Sequence, residues 1–220
     1  MQLSAQTIHL LAGRLGMITP FCEDKVVVNG KSAGLSAASY DMTIGHDLTL
    51  GVNPSIIIAK HVKAMAAELA ANLPYTSLAH THENLNMPND VAAQVADKSS
   101  YARVFCSAFN TFIDPGFRGN LTLELVNHGD EPVVIKAGDP IVQLLFTALD
   151  APTQRPYRGK YQDQTVGAHP ARHEAGPEDN HLPNRMHDFT PTREDPLGIH
   201  CKKCGAHIDN GLVSPCRNKE

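Results

Sequence analysis

The chain has 220 residues, enough to bury a core for one domain plus extensions. Nineteen Lys and Arg against 23 Asp and Glu give a net charge of −4, so no basic stripe marks a nucleic-acid polymer as partner. Five cysteines, three of them within residues 201–220, form no secreted disulfide framework and fit a reducing, cytoplasmic setting.

The opening residues "MQLSAQTIHL" lack the basic-then-apolar layout of a signal peptide. Residues 4–15 are predicted as a short helix, with Ser4 as cap and Ile8, Leu11, Ala12 and Leu15 on one face. "EDKVVVNGKS" then reads as a strand running into an Asn-Gly turn. A second helical pattern covers residues 59–73, with Val62, Met65, Ala66, Leu69 and Leu73 along one stripe, and Pro74 ends it. The apolar run from Ile56 to Leu73 contains Lys60, His61, Lys63 and Glu68, which makes it no membrane span. From there to about residue 148 the chain reads as short strands separated by turns: "YTSLAHTHENL", "DVAAQVA", "RVFCSAF", "NLTLELVNHG", "PVVIKAG" and "PIVQLLF". Short strands with frequent Gly, Pro, Asn and Asp predict an antiparallel barrel or sandwich. The expected organisation is a core over 1–150, an extended arm over 151–198 rich in Pro, His and charge, and a Cys-rich tail over 199–220.

Several catalytic signatures are missing: a Walker loop, a dinucleotide-binding glycine pattern and a G-x-S-x-G elbow. The zinc nucleobase deaminase pattern is missing too, because "HTHE" puts His82 directly beside Glu83 and "SPCRN" holds one cysteine. Three segments stand out. "DKSSYAR" (97–103) packs a lysine, two hydroxyls and an arginine together, "IDPGFRG" (113–119) is an acid–turn–aromatic element, and "RPYRGKYQDQ" (155–164) carries phosphate- and amide-binding side chains. Each alone has a plainer reading as turn decoration, turn or basic arm. Glu124 is the other oddity, a glutamate inside the alternating Leu121–Leu125 run.

Taken together, "SAASYDMTIG" (36–45), "PNDVAAQVADKSSYAR" (88–103), "IDPGFRGNLTLELVNHGDEP" (113–132), "AGDPIVQLLF" (137–146) and "GKYQDQ" (159–164) follow the order seen in dCTP deaminases. Over about residues 1–168 the chain resembles that family, whose fold is the trimeric dUTPase-like one. The resemblance implies a mainly β fold, a distorted antiparallel β-barrel of β-clip or jelly-roll type, with short helices and a C-terminal arm. It also implies a homotrimer acting on a deoxynucleoside triphosphate, dCTP going to dUTP and ammonia without catalytic zinc.

The resemblance further implies that Glu124 is the catalytic glutamate, with Ser99 and Arg103 beside it. It places Lys98, Ser100, Asp114, Phe117, Thr122 and Leu123 around the substrate, and Tyr157, Lys160 and Gln164 in the arm that closes over the triphosphate. Deamination needs a base to deprotonate water for attack at C4 and an acid for N3 and the leaving amine. One carboxylate raised in pKa by burial serves both needs, fixed donors such as Ser99 and backbone amides hold the developing charge, and Mg²⁺ accompanies the triphosphate.

The segment "VFCSAFNTF" between Arg103 and Asp114 is shorter than the usual one and lacks its His-x-Thr-Ala, which leaves a modified cytosine or a uracil nucleotide open. Two rivals stand beside the deaminase: a dUTP diphosphatase or bifunctional enzyme forming dUMP with Asp114 activating water, and a nucleotide-binding regulator without turnover. In the tail, Cys201, Cys204 and Cys216 with His207 or His200 make a candidate tetrahedral Zn²⁺ set, against a plain reading as reduced thiols.

Overall fold

The computed structural model describes residues 1–53, 55, 73–109, 111–172, 208–209 and 212–213. It divides into two units, residues 1–170 and 171–220. The helix expected over 59–73 and the cysteine–histidine set of the tail lie outside the described residues. Among those described, no helix is long and apolar enough to cross a membrane.

The first unit opens with α1 (Ala5–Leu15), which buries Ile8 and Ala12 and ends at Gly16 in the left-handed region. Ser4 stands at its N-cap, but the Ser4 hydroxyl meets Thr7 Oγ1 at 3.3 Å and leaves the helix N–H groups uncapped. β1 (Ile18–Thr19) follows. β2 (Val26–Val28) and β3 (Lys31–Leu35) form the expected hairpin. Its turn residues Asn29 and Gly30 have φ of 47° and 74°, the paired left-handed conformation that joins two twisted strands most directly. β4 (Tyr40–Thr43) and β5 (Leu48–Leu50) come next.

The strands legible in the sequence are β6 (Thr76–Asn86), β7 (Val91–Asp97), β8 (Cys106–Ala108), β10 (Arg118–Asn127), β11 (Val133–Ile135) and β12 (Pro140–Ala148). A single turn of helix, α2 (Ser99–Ala102), and a two-residue strand, β9 (Phe112–Ile113), lie between them. The pairing is antiparallel: a six-stranded sheet β2-β3-β4-β12-β7-β9, a four-stranded sheet β1-β6-β10-β8, and the pair β11-β5. One buried cluster takes Tyr40, Met42, Leu144 and Phe146 from the larger sheet and Ala79, Leu85, Leu123 and Leu125 from the smaller. The fold is therefore mainly β, antiparallel sheets sharing one core. In the second unit, β13 (Ile208–Asp209) pairs with β14 (Leu212–Val213).

Residues 151–170 add no helix and no strand beyond one bridge. They run along the start of β10: Tyr157 N–H donates to Pro115 O at 2.8 Å, Asp163 N–H to Arg118 O at 2.9 Å, and Asn120 N–H to Gln164 O at 3.0 Å. Gly119, at φ 138°, makes the close approach feasible, since a Cβ there would lie 2.7 Å from the Gln164 nitrogen.

Candidate active site

β10 alternates as its sequence predicts. Leu121, Leu123 and Leu125 are buried in the core, while Thr122 and Glu124 point to the opposite face and are half-buried. Glu124 is the centre of a three-strand row. β6 places Leu78 opposite it, and on the other side Phe109 N–H donates to Glu124 O at 3.0 Å, extending the Leu125–Ala108 pairing by one residue. Leu78 and Phe109 are exposed at 38% and 60%. Glu124 Oε2 is buried and has no hydrogen-bond partner among the described residues. Burial pushes the Glu124 carboxyl above the usual range, and its backbone hydrogen bond only partly offsets this.

The second constellation sits on α2. Ser99 and Arg103 are exposed and Ser100 is half-buried. Ser100 and Arg103 line a cavity of about 420 Å³ together with Lys31, Tyr101, Phe105 and Glu131. The Arg103 guanidinium makes no ion pair among the described residues. Two buried carboxylates hold α2 from beneath. Asp41 pairs with Lys98 at 2.8 Å, and the Lys98 ammonium also reaches Ser32 Oγ at 3.3 Å. Lys98, expected among the substrate contacts, is thus only 6% exposed and committed to Asp41. Asp139 accepts from Tyr101 OH at 3.0 Å, Asn29 Nδ2 at 2.7 Å, Lys31 Nζ at 3.2 Å and Lys136 N–H at 3.1 Å. Burial alone raises the Asp139 pKa, but these donors outweigh it and hold the carboxyl below its ordinary value.

The remaining candidates cluster where the arm meets β10. Asp114 is exposed and its carbonyl accepts Phe117 N–H at 3.2 Å, closing the Asp-Pro-Gly turn. Phe117 is buried, with Tyr157 edge-on at 5.7 Å. Thr122 Oγ1 accepts from Gln164 Nε2 and from His169 N–H, the latter at 3.1 Å. Leu123 is buried and paired with Ala79 in the β6–β10 ladder. Lys160 lies with its ammonium 5.4 Å from the centre of the Tyr161 ring, and Tyr161 N–H donates to Tyr157 OH at 3.2 Å. Gln164 is buried. Among the described residues no group of three or more His, Cys, Asp or Glu is arranged to hold a metal ion.

One chain thus brings Thr122, Glu124 and the arm to β10 and gathers Ser99, Ser100 and Arg103 on α2, without a hydrogen bond or ion pair between the two groups among the described residues. Sequence reasoning passed over Asp41, Asp139, Leu78 and Phe109. An aspartate between apolar neighbours, as in "SYDM" and "AGDPI", is the signal that marked the first two as buried acids. The other two depend on strand register, which no local pattern carries.

A family model described as dCTP deaminase-like matches residues 2–149. The dCTP deaminase of Campylobacter fetus is 35% identical over 159 residues, covering 67% of this chain and 86% of the relative. Among solved structures, the 2'-deoxycytidine 5'-triphosphate deaminase of Agrobacterium tumefaciens aligns at 18% identity with a TM-score of 0.44, over 66% of this chain and 47% of that one. The native dUTPase of EIAV aligns at 18% identity with a TM-score of 0.40, over 57% of this chain and 87% of that one. With the family model matched across the whole β core and a relative above one-third identity, the chain belongs to the dCTP deaminase-like family.

Proposed function

We propose that this protein deaminates dCTP to dUTP and ammonia with Glu124 as proton shuttle. The carrying observation is the buried, unpartnered Glu124 oxygen in the middle of a sheet face. A carboxyl left without a donor and raised in pKa is suited to taking a proton at one step and returning it at the next. Glu124 takes a proton from water as its oxygen bonds to C4 of the base, then passes that proton to N3. From the tetrahedral intermediate Glu124 takes the proton of the new C4 hydroxyl and delivers it to the amine, so that the C4–N bond breaks as the C4 carbonyl forms, ammonia leaves, and the ring is left as uracil. The Ser99 hydroxyl donates to the developing charge, and Arg103 orients Glu124 or binds phosphate.

The triphosphate enters with Mg²⁺ as part of the substrate. Ser100 and Lys160 face its phosphates, Tyr157 and Gln164 close the arm, and Asp114, Phe117, Thr122 and the Leu123 backbone hold sugar and base. Lys98 acts through Asp41, fixing α2 from below. Because the α2 residues and Glu124 share no hydrogen bond or ion pair among the described residues of one chain, the proposed working site joins α2 of one subunit to β10 of its neighbour in a homotrimer.

The test incubates protein with dCTP and Mg²⁺ and follows ammonia, dUTP, dUMP and pyrophosphate. Ammonia with dUTP is expected, and Glu124→Gln is expected to lower the rate about 10²- to 10⁴-fold while still binding nucleotide. Ammonia with dUMP and pyrophosphate identifies the bifunctional enzyme. Pyrophosphate from dUTP with no ammonia from any cytosine nucleotide overturns the proposal.

A further inference from the structure

Phe109 is an aromatic side chain at 60% exposure, held by its backbone directly beside Glu124 and on the same sheet face. Three observations agree on that placement. The Leu125–Ala108, Val126–Ser107 and Asn127–Cys106 register, extended by one residue, sets Phe109 against Glu124. The Phe109 N–H to Glu124 O bond is the hydrogen bond which that extension requires. Burial alternates along Cys106, Ser107, Ala108 and Phe109 as buried, half-buried, buried and exposed, so Phe109 shares the outward face with Glu124. Leu78 occupies the corresponding place on the other side.

Neighbouring strands are about 4.8 Å apart, so the Leu78 and Phe109 side chains root about 10 Å apart with Glu124 between them. That gap admits one planar ring standing edge-on to the sheet, in van der Waals contact at about 3.5 Å with one wall. A ring in that pose turns an edge toward the carboxyl, and for cytosine this is the edge carrying N3 and the exocyclic amine. Phe109 offers the flat wall. Leu78, the shorter side chain, leaves the opposite face of the ring open to attacking water.

Building on the deaminase reading, we infer that Phe109 is a base-stacking residue, the aromatic wall on which the substrate pyrimidine lies beside Glu124. Its ring also excludes water from one side of the Glu124 carboxyl, in keeping with burial as the main cause of the raised pKa.

The test compares wild type with Phe109→Ala and Phe109→Tyr. It uses steady-state kinetics on dCTP, calorimetric binding of dCTP and dUTP, binding of inorganic tripolyphosphate, and mass by light scattering. A stacked base costs about tenfold or more in affinity when its aromatic partner is cut to alanine. Phe109→Ala should therefore weaken dCTP and dUTP binding and raise KM about tenfold, leaving tripolyphosphate affinity and mass unchanged. Phe109→Tyr should restore binding. The acid limb of the Phe109→Ala rate profile should move to lower pH as water reaches Glu124, which a purely structural residue would not cause. Unchanged nucleotide affinity overturns the inference, as does an equal loss of tripolyphosphate binding or a change in mass that accounts for the loss. Wild-type protein that binds dCTP without releasing ammonia overturns the deaminase reading alone, and stacking is then judged from the binding series. Wild-type protein that binds no nucleotide overturns both.

Discussion

Glu83 is buried and Glu124 half-buried, both carboxyls are raised in pKa by desolvation, and the difference that matters is that Glu83 has partners. Its two oxygens accept the Thr43 N–H at 2.9 Å and the Thr43 hydroxyl at 2.9 Å, which ties β6 to β4. Burial dominates, the Thr43 bonds oppose it, and the net direction is upward. The sign follows from linkage: a carboxyl with a folded-state pKa above its unfolded value binds extra protons in the folded state. Its stabilising contribution is complete below the unfolded pKa and is lost as pH rises through the folded one. Glu83→Gln cannot ionise and keeps an acceptor for Thr43. Its thermal midpoint is therefore expected to gain on wild type as pH rises from about 4 upward through the folded-state pKa. A constant difference across that range in thermal melts would count against this account. Glu124 has no such partner, and its elevated pKa is expected to appear in catalysis. The acid limb of kcat/KM should lie above the ordinary glutamate range of about 4.3, and a pH–rate profile checks it.

At the scale of elements, α2 shows how a four-residue helix is fixed without favourable propensity. Asp41, from β4, holds Lys98 at its start, and Asp139, just before β12, holds the Tyr101 hydroxyl in its middle. Removing one partner of a buried ion pair costs about 3–5 kcal/mol. Asp41→Asn should lower the urea midpoint accordingly, and Tyr101→Phe by a smaller amount, about 1.5–3 kcal/mol for a bond to a charged acceptor. Both should impair nucleotide binding through displacement of Ser99, Ser100 and Arg103, and urea denaturation paired with binding titrations separates the two effects. This buried support was only partly legible in the sequence. Strands with clean alternation, such as Leu121–Leu125, and the Asn29–Gly30 turn announced themselves because their signals are local. The short strands Ile18–Thr19, Tyr40–Thr43, Leu48–Leu50 and Phe112–Ile113 did not, since two to four residues give no period to read. The same limit hid the pairing of Lys98 with Asp41, two residues far apart in sequence that only the closed fold brings together.

For the whole molecule, the prediction is that activity belongs to the trimer. Arg103 is a cation without an ion-pair partner and Glu124 an acid without a donor among the described residues of one chain, and in the proposed trimer a neighbouring copy would supply each with the other. Light scattering should report three chains, and dilution that dissociates them should abolish ammonia release. A stable monomer active at full rate would contradict this. The arm adds a further consequence. Gln164 is seated against Gly119 and Asn120 by contacts made wholly within the chain, so residues 157–164 are expected to be ordered by folding, before any nucleotide arrives. Fixing backbone costs about 1–2 kcal/mol per residue, and here that cost falls on folding and not on binding. Nucleotide capture should accordingly proceed in a single kinetic phase with a small entropic penalty. Gly119→Ala, which pushes a methyl group into the Gln164 backbone, should turn the same arm into a segment that every binding event must order anew.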